Sequence, residues 1–170
     1  MSAHVINPRP ISAESFAPYG DVIQAAAATL AAMNDARFER FHGLAQVDVT
    51  DNEGRASISI ARCRIATTFP HSIHMVERHP HGSQAFIPLS GFPFIVVVAA
   101  ASDTVDPAAF RAFVTDGTQG VNYRKGIWHM PMIGMQAGQE FLIVDRQPTG
   151  DNCDECTLDE PLVLAAPEAR

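Results

Sequence analysis

Four of the chain's seven histidines fall between positions 71 and 81, in the stretch His71-Ser-Ile-His-Met-Val-Glu-Arg-His-Pro-His81. Glu77 and Arg78 stand among them, and Gln84 and Phe86 follow closely. Imidazoles and a carboxylate at short spacing suit two kinds of chemistry. They can hold a divalent cation, or move protons near neutrality, where histidine's unperturbed pKa of about 6.5 lies. Residues two apart on an extended strand share a face, so Glu77 and His79 point one way and Arg78 the other. Pro80-His-Gly-Ser83 is a turn-forming cluster. On the returning strand Gln84, Phe86 and Pro88 share a face. The expected hairpin therefore aims Glu77, His79 and Gln84 at one point, backed by the Phe86 ring. His71, His74 and His81 lack that spacing and are expected to be rim or surface residues.

The elements that must carry these groups read as short strands. Arg55 to Ile65 alternates, with Ala56, Ile58 and Ile60 set against Ser57, Ser59 and Ala61, the pattern of a half-buried strand. Phe94-Ile-Val-Val-Val-Ala-Ala is rich in β-branched residues and bounded by turn signals. Further strands are expected at Asp21-Val-Ile-Gln, Phe38-Glu-Arg-Phe, Gly43 to Val49, Val121-Asn-Tyr123, Trp128 to Ile133 and Glu140 to Arg146, with Arg111-Ala-Phe-Val-Thr115 leading into Asp116-Gly117. A short last strand is expected around Leu162-Val-Leu. Phe38–Phe41 and Gly43–Val49 read as a pair. The alanine-rich segment from Ala25 to Ala32 fits a helical turn or a loop. Two short helices are predicted, one capped by Ser12, the other by Asp106 with Pro107 at its first position. Many strands, frequent turns and two short helices describe an all-β antiparallel sandwich or barrel. No repeat or linker divides residues 1–170, so one domain is expected.

Composition narrows the partners. A net charge of −7 argues against nucleic acid and anionic membrane surfaces. The longest apolar run, Phe92 to Ala101, contains Pro93 and is far shorter than the roughly 20 residues of a membrane-spanning helix. The first residues have neither a basic nor an apolar leader region. Three cysteines form no complete disulfide set. Cys153-Asp-Glu-Cys156 lacks a second pair, so both are expected to be plain thiols in a reducing, cytoplasmic setting.

Spacing then adds a resemblance. Glu77-x-His79, four residues, Gln84, six residues, Gly91 follows the first motif of the cupin jelly-roll family, H-x-H-x4-E-x6-G. Glu77 stands in place of the first His and Gln84 in place of the Glu. Arg124-x-Gly126-x2-His129 matches the Gly and His that end the second cupin motif but lacks its proline. The surrounding residues are similar to the ureidoglycolate lyase family, formerly called ureidoglycolate hydrolase. They include Tyr19-Gly-Asp-Val-Ile, Glu77-Arg-His-Pro-x3-Gln-Ala-Phe-Ile-Pro, Arg111-Ala-Phe and Gly120-Val-Asn-Tyr-x4-Trp-His-x-Pro. Asp145-Arg and Asp151-Asn-Cys153 complete the set, from about Phe16 to Cys153.

This resemblance implies a cupin-type antiparallel jelly-roll barrel, a cytoplasmic homodimer, and cleavage of (S)-ureidoglycolate to glyoxylate and urea during allantoin breakdown. It implies Glu77, His79, Gln84 and His129 as equivalents of the four metal-ligand positions. The mixed nitrogen and oxygen donors suit nickel, manganese, iron or zinc alike. Glu77, His79 and His129 are also candidates for acid–base work without metal. A carboxyl in an apolar barrel beside Phe86 is expected to have a raised pKa unless a metal or an arginine pairs with it. For the substrate's carboxylate the candidates are Arg78, Arg111, Lys125 and Arg146. Strand parity turns Arg78 away, and Asp145-Arg146 has the alternative of an ion pair fixing the terminal loop. Tyr123 is a candidate for the urea oxygen, or a barrel-lining ring; Trp128 is expected to pack. Two other functions fit the same residues: hydrolysis of the substrate to ammonia and carbon dioxide, and a non-catalytic cupin that binds a small acid.

Overall fold

The computed structural model describes residues 4–25, 30–147 and 151–168. In chain order the strands are β1 (His4–Ile6), β2 (Arg9–Pro10), β3 (Gly20–Ile23), β4 (Leu30–Met33), β5 (Phe38–Phe41), β6 (Arg55–Arg62), β7 (His71–Arg78) and β8 (Gln84–Pro88). They continue with β9 (Phe94–Ala99), β10 (Arg111–Val114), β11 (Gly120–Tyr123), β12 (Trp128–His129), β13 (Ile133–Gly134), β14 (Glu140–Gln147) and β15 (Asp154–Leu164). One short helix, α1 (Ala13–Phe16), starts at Ser12, whose hydroxyl accepts the Ser15 amide at 3.1 Å. The second predicted helix is a single 3-10 turn, Pro107–Ala109, capped by Asp106 as its sequence requires.

Two sheets make the body. The larger runs β1-β15-β7-β12-β9-β10-β2, with β13 also on β9; the smaller runs β3-β11-β8-β14-β6. The outermost strands of the larger sheet, β1 and β2, are separated in sequence only by Asn7 and Pro8, so this sheet must curl until its edges approach. β9 shows the result. All its residues are buried, as expected for a strand with no polar position. Ile95, Val97 and Ala99 join one core with Ile73, Trp128, Leu162 and Leu164. Phe94, Val96 and Val98 join the other, with Phe86, Val121, Tyr123 and Phe141 from the smaller sheet. The architecture is all-β, two curled sheets in a jelly-roll-like barrel, and the second core fills the space between them.

Four expectations change. β7 and β8 do not form a hairpin; they belong to different sheets, and Pro80–Ser83 carries the chain across the barrel. The strand paired with β5 is β4, while 43–50 runs without regular structure. Of the alanine-rich segment, 26–29 lies outside the described residues. β6 alternates as predicted but faces the other way: Ile58 and Ile60 are 71% and 62% exposed. It is an edge strand of the smaller sheet, and parity sets which residues share a face without choosing the inner one. Finally, the last strand spans eleven residues, interrupted by a register shift between Thr157 and Leu162. Pro161, which has no amide hydrogen for the ladder, lies in that interval.

Candidate active site

Two segments separated by about fifty residues meet because β12 lies antiparallel to β7, with His129 directly opposite Glu77. His129 is also opposite Val98, an inward residue of β9, so His129 and Glu77 both face the space between the sheets. His79 follows the end of β7, and its ring centre lies 5.1 Å from that of His129. The smaller sheet contributes the opposite wall. Tyr123 is paired with Gln84, and Phe86 with Val121 and Ile143.

The hydrogen bonds fix both imidazoles in the same way. His79 Nδ1 is 2.7 Å from the carbonyl of Asn152, and His129 Nδ1 is 2.9 Å from the carbonyl of Ile127. A carbonyl only accepts, so each Nδ1 carries the proton and each Nε2 of the neutral ring is left with its lone pair. Both Nε2 atoms are buried and have no hydrogen-bond partner among the described residues. Glu77 Oε1 is 3.5 Å from His129 Nε2, close enough for ion pairing but outside hydrogen-bond geometry. The ligand atoms of Glu77, His79 and His129 all lie within 4.8 Å of one another. Two orphaned imidazole nitrogens beside a carboxylate, each ring steadied through its other nitrogen, form a donor set that fits a divalent cation.

The His129 imidazole holds the Glu77 carboxyl below the usual glutamate range, against the upward push of burial. Glu77 is therefore an acceptor at neutral pH. Its Oε2 has the thiol of Cys153 at 3.7 Å. Partial burial, reinforced by the Glu77 charge, pushes that thiol up to about 11, so it remains a donor. Burial also raises the Tyr123 hydroxyl, and the Tyr123 ring lies 4.7 Å from that of His129 and 5.7 Å from that of Phe86.

A cavity of about 110 Å³ opens beside His79, lined by Ser83, Gln84, Asp145, Arg146, Asn152 and Cys153. The structure thus brings Glu77, His79, His129 and Tyr123 together and sets Gln84 and Arg146 at the adjoining cavity. Lys125 is not with them. Its ammonium lies between Asp48 and Asp51, at 2.9 and 3.0 Å, and those contacts raise its pKa. Arg78 stacks on Trp128 at 4.7 Å and pairs with Asp154 at 2.8 Å. Arg111 donates to the carbonyls of Ala108 and Phe110 and lines a different cavity, of about 630 Å³, between β1 and β10. Arg146, 8% exposed, donates to the carbonyls of Asp51 and Asn52, at 2.8 to 3.3 Å, so it grips a loop as well as lining the cavity. Sequence reasoning took Cys153 for a plain thiol and passed over Asn152; their place in the Asp151-Asn-Cys153 stretch was the available signal.

Residues 3–165 match the family model described as ureidoglycolate lyase. Among curated relatives, a ureidoglycolate lyase of Pseudomonas fluorescens is 48% identical over 158 residues, 92% of this chain and 94% of the relative. One from Pseudomonas aeruginosa is 47% identical over 157 residues, covering 91% and 92%. One from Pseudomonas syringae is 46% identical over 151 residues, covering 89% and 88%.

Proposed function

Because this chain belongs to the ureidoglycolate lyase family, we propose that it cleaves (S)-ureidoglycolate to glyoxylate and urea at the Glu77–His79–His129 cluster. The reading rests on one observation: a carboxylate and two imidazole nitrogens without a partner among the described residues converge beside a small cavity. The substrate carries a hydroxyl, a carboxylate and a ureido nitrogen on one carbon. Cleavage takes the hydroxyl proton, turns the C–O bond into a carbonyl, and breaks the C–N bond with its electron pair passing to nitrogen. That nitrogen gains a proton as urea leaves, so the products balance without water.

Glu77, His79 and His129, with Gln84 as a fourth candidate, would hold a divalent cation; when bound, such a cation acidifies a hydroxyl and neutralises a carboxylate. Nickel, manganese, iron and zinc suit these donors equally. Glu77, ionised at neutral pH, accepts the hydroxyl proton on Oε2 and returns it to the ureido nitrogen as the bond breaks. Both transfers occur at groups on one carbon, so one carboxylate can serve both. Tyr123, against the His129 ring, and Phe86 behind it keep the cluster dry, which strengthens the charge interactions within it. Arg146 and Gln84 anchor the substrate carboxylate, and Lys125 acts at one remove, by steadying the Asp48–Asp51 loop. We also read the protein as a cytoplasmic homodimer, supported by the exposed Ile58 and Ile60 on an edge strand.

The test is product analysis with the (S) and (R) substrates on wild type, His129→Ala and metal-stripped protein. Urea and glyoxylate from (S) alone, lost in a folded His129→Ala variant and in stripped protein until a cation is restored, is expected. Ammonia as the nitrogen product refutes the lyase reading. Full activity in stripped protein refutes the ligand assignment.

A further inference from the structure

The cavity beside His79 contains two groups that the chemistry above does not use. Asn152 and Asp145 both line it. Asn152 Oδ1 accepts the backbone amide of His81 at 2.7 Å. That bond settles which end of the side-chain amide is which, and turns the two donors of Nδ2 away from the His81 backbone. Nδ2 has no hydrogen-bond partner among the described residues. Asp145 is two residues beyond Ile143 and four beyond Phe141 on β14, both packed with the core between the sheets, so parity points it the same way. Its carboxylate likewise makes no hydrogen bond or ion pair with a described residue.

A fixed donor and an acceptor therefore face one cavity of about 110 Å³, next to the imidazole of the catalytic cluster. A ureido group is their complement: a carbonyl oxygen that accepts, and N–H groups that donate. A carboxylate is not, because it only accepts and Asp145 would repel it. We propose that Asn152 and Asp145 form the part of the site that recognises the ureido group, Asn152 Nδ2 donating to its carbonyl and Asp145 accepting from its terminal N–H. This rests on the reading of the chain as a ureidoglycolate lyase, and it assigns the substrate's nitrogen end to the side of the cavity where β14 meets the residues leading into β15. The carboxylate end then lies toward Arg146 and Gln84.

The test needs no turnover. Hydantoate keeps the ureido and carboxylate groups but lacks the hydroxyl; glycolate keeps the carboxylate and hydroxyl but lacks the ureido group. Calorimetry gives the ratio of their affinities for wild type, Asn152→Asp and Asp145→Ala. Asn152→Asp keeps an oxygen for the His81 amide and removes only the donors, so a purely structural role predicts an unchanged ratio. Using the ratio cancels any general change in charge or folding. In both variants the preference for hydantoate is expected to fall about tenfold or more, since a site built around hydrogen bonds discriminates strongly through them. An unchanged ratio in either variant, or a wild type with no preference for hydantoate over glycolate, overturns the assignment. A wild type that shows the preference but releases no urea leaves this recognition standing and refutes the proposed reaction instead.

Discussion

Replacing Arg146 with Met should loosen the loop that borders the site, and the structure sets the size of the effect. The guanidinium is 8% exposed and makes three hydrogen bonds to the carbonyls of Asp51 and Asn52. Those carbonyls belong to a turn in which Asn52 and Glu53 have φ of 50° and 60°, the left-handed region that non-glycine residues seldom adopt. The side chain passes between two glycines: a Cβ at Gly54 would meet Arg146 Nε, and one at Gly82 would meet Arg146 Cβ. Each hydrogen bond from a charged donor contributes about 1.5–3 kcal/mol, but the loop carbonyls regain water when released. The net loss is therefore expected at about 2–4 kcal/mol, the range of other buried polar truncations. In a chain of this size that lowers the melting temperature by about 5–15 °C. Thermal unfolding followed by circular dichroism measures it. Arg146→Lys, which keeps the charge but loses the fork, should fall between Met and wild type. Gly82→Ala should reproduce part of the loss by displacing the side chain. If Arg146→Met melts within about a degree of wild type, as a surface substitution would, the guanidinium does not hold the loop and this account is wrong.

Glu77→Gln removes the proton acceptor while keeping shape, and is expected to lower kcat by about 10²–10⁴; a variant within a few-fold of wild type would show that the proton goes elsewhere. Calorimetry with Mn²⁺ or Zn²⁺ should show weaker binding for His79→Ala and His129→Ala than for wild type, and unchanged affinity would remove those rings from the donor set. Asp51 has its pKa lowered, chiefly by its hydrogen bond from Lys125. Its contribution to stability is complete above the unfolded carboxylate pKa and disappears as pH falls through the lower folded value. Asp51→Asn should therefore flatten the acid side of the stability–pH curve, and identical curves would refute the pairing. Phe141, 1% exposed and in edge contact with Phe94 at 5.0 Å, should cost about 3–5 kcal/mol on truncation to Ala, measurable by urea unfolding.

The site's main feature could be read from the sequence because spacing carried it. Glu77 and His129 fall opposite each other on neighbouring strands, and the cupin-like pattern named both before any pairing was known. The hairpin expected to aim Glu77, His79 and Gln84 at one point does not form. Glu77 and Gln84 come from two sheets, and alternation along one strand holds no information about which sheet the next strand joins. Ile58 and Ile60 illustrate the same limit, since an apolar stripe marks a face without stating what covers it. The raised pKa expected for Glu77 had correct physics but lacked the neighbour. Burial does push it up; the imidazole opposite pushes harder. Lys125 is spent on the carboxylates of Asp48 and Asp51, and Arg146 grips the same loop while it lines the cavity. Contacts so distant in sequence depend on tertiary closure, which no local pattern records.

β15 lies between β1 and β7 in the larger sheet. Among the described residues it is the only strand that β1 pairs with, and the segment leading into it supplies the carbonyl for His79 and the thiol beside Glu77. During synthesis, then, β1 must wait for β15, which follows all the other described strands. Until residues 151–164 emerge, His79 has no partner to choose its tautomer and the sheet has a gap one strand wide. A nascent chain stalled before that point should be open to proteases and unable to bind a cation tightly, and both properties should change together when β15 is released to close the sheet.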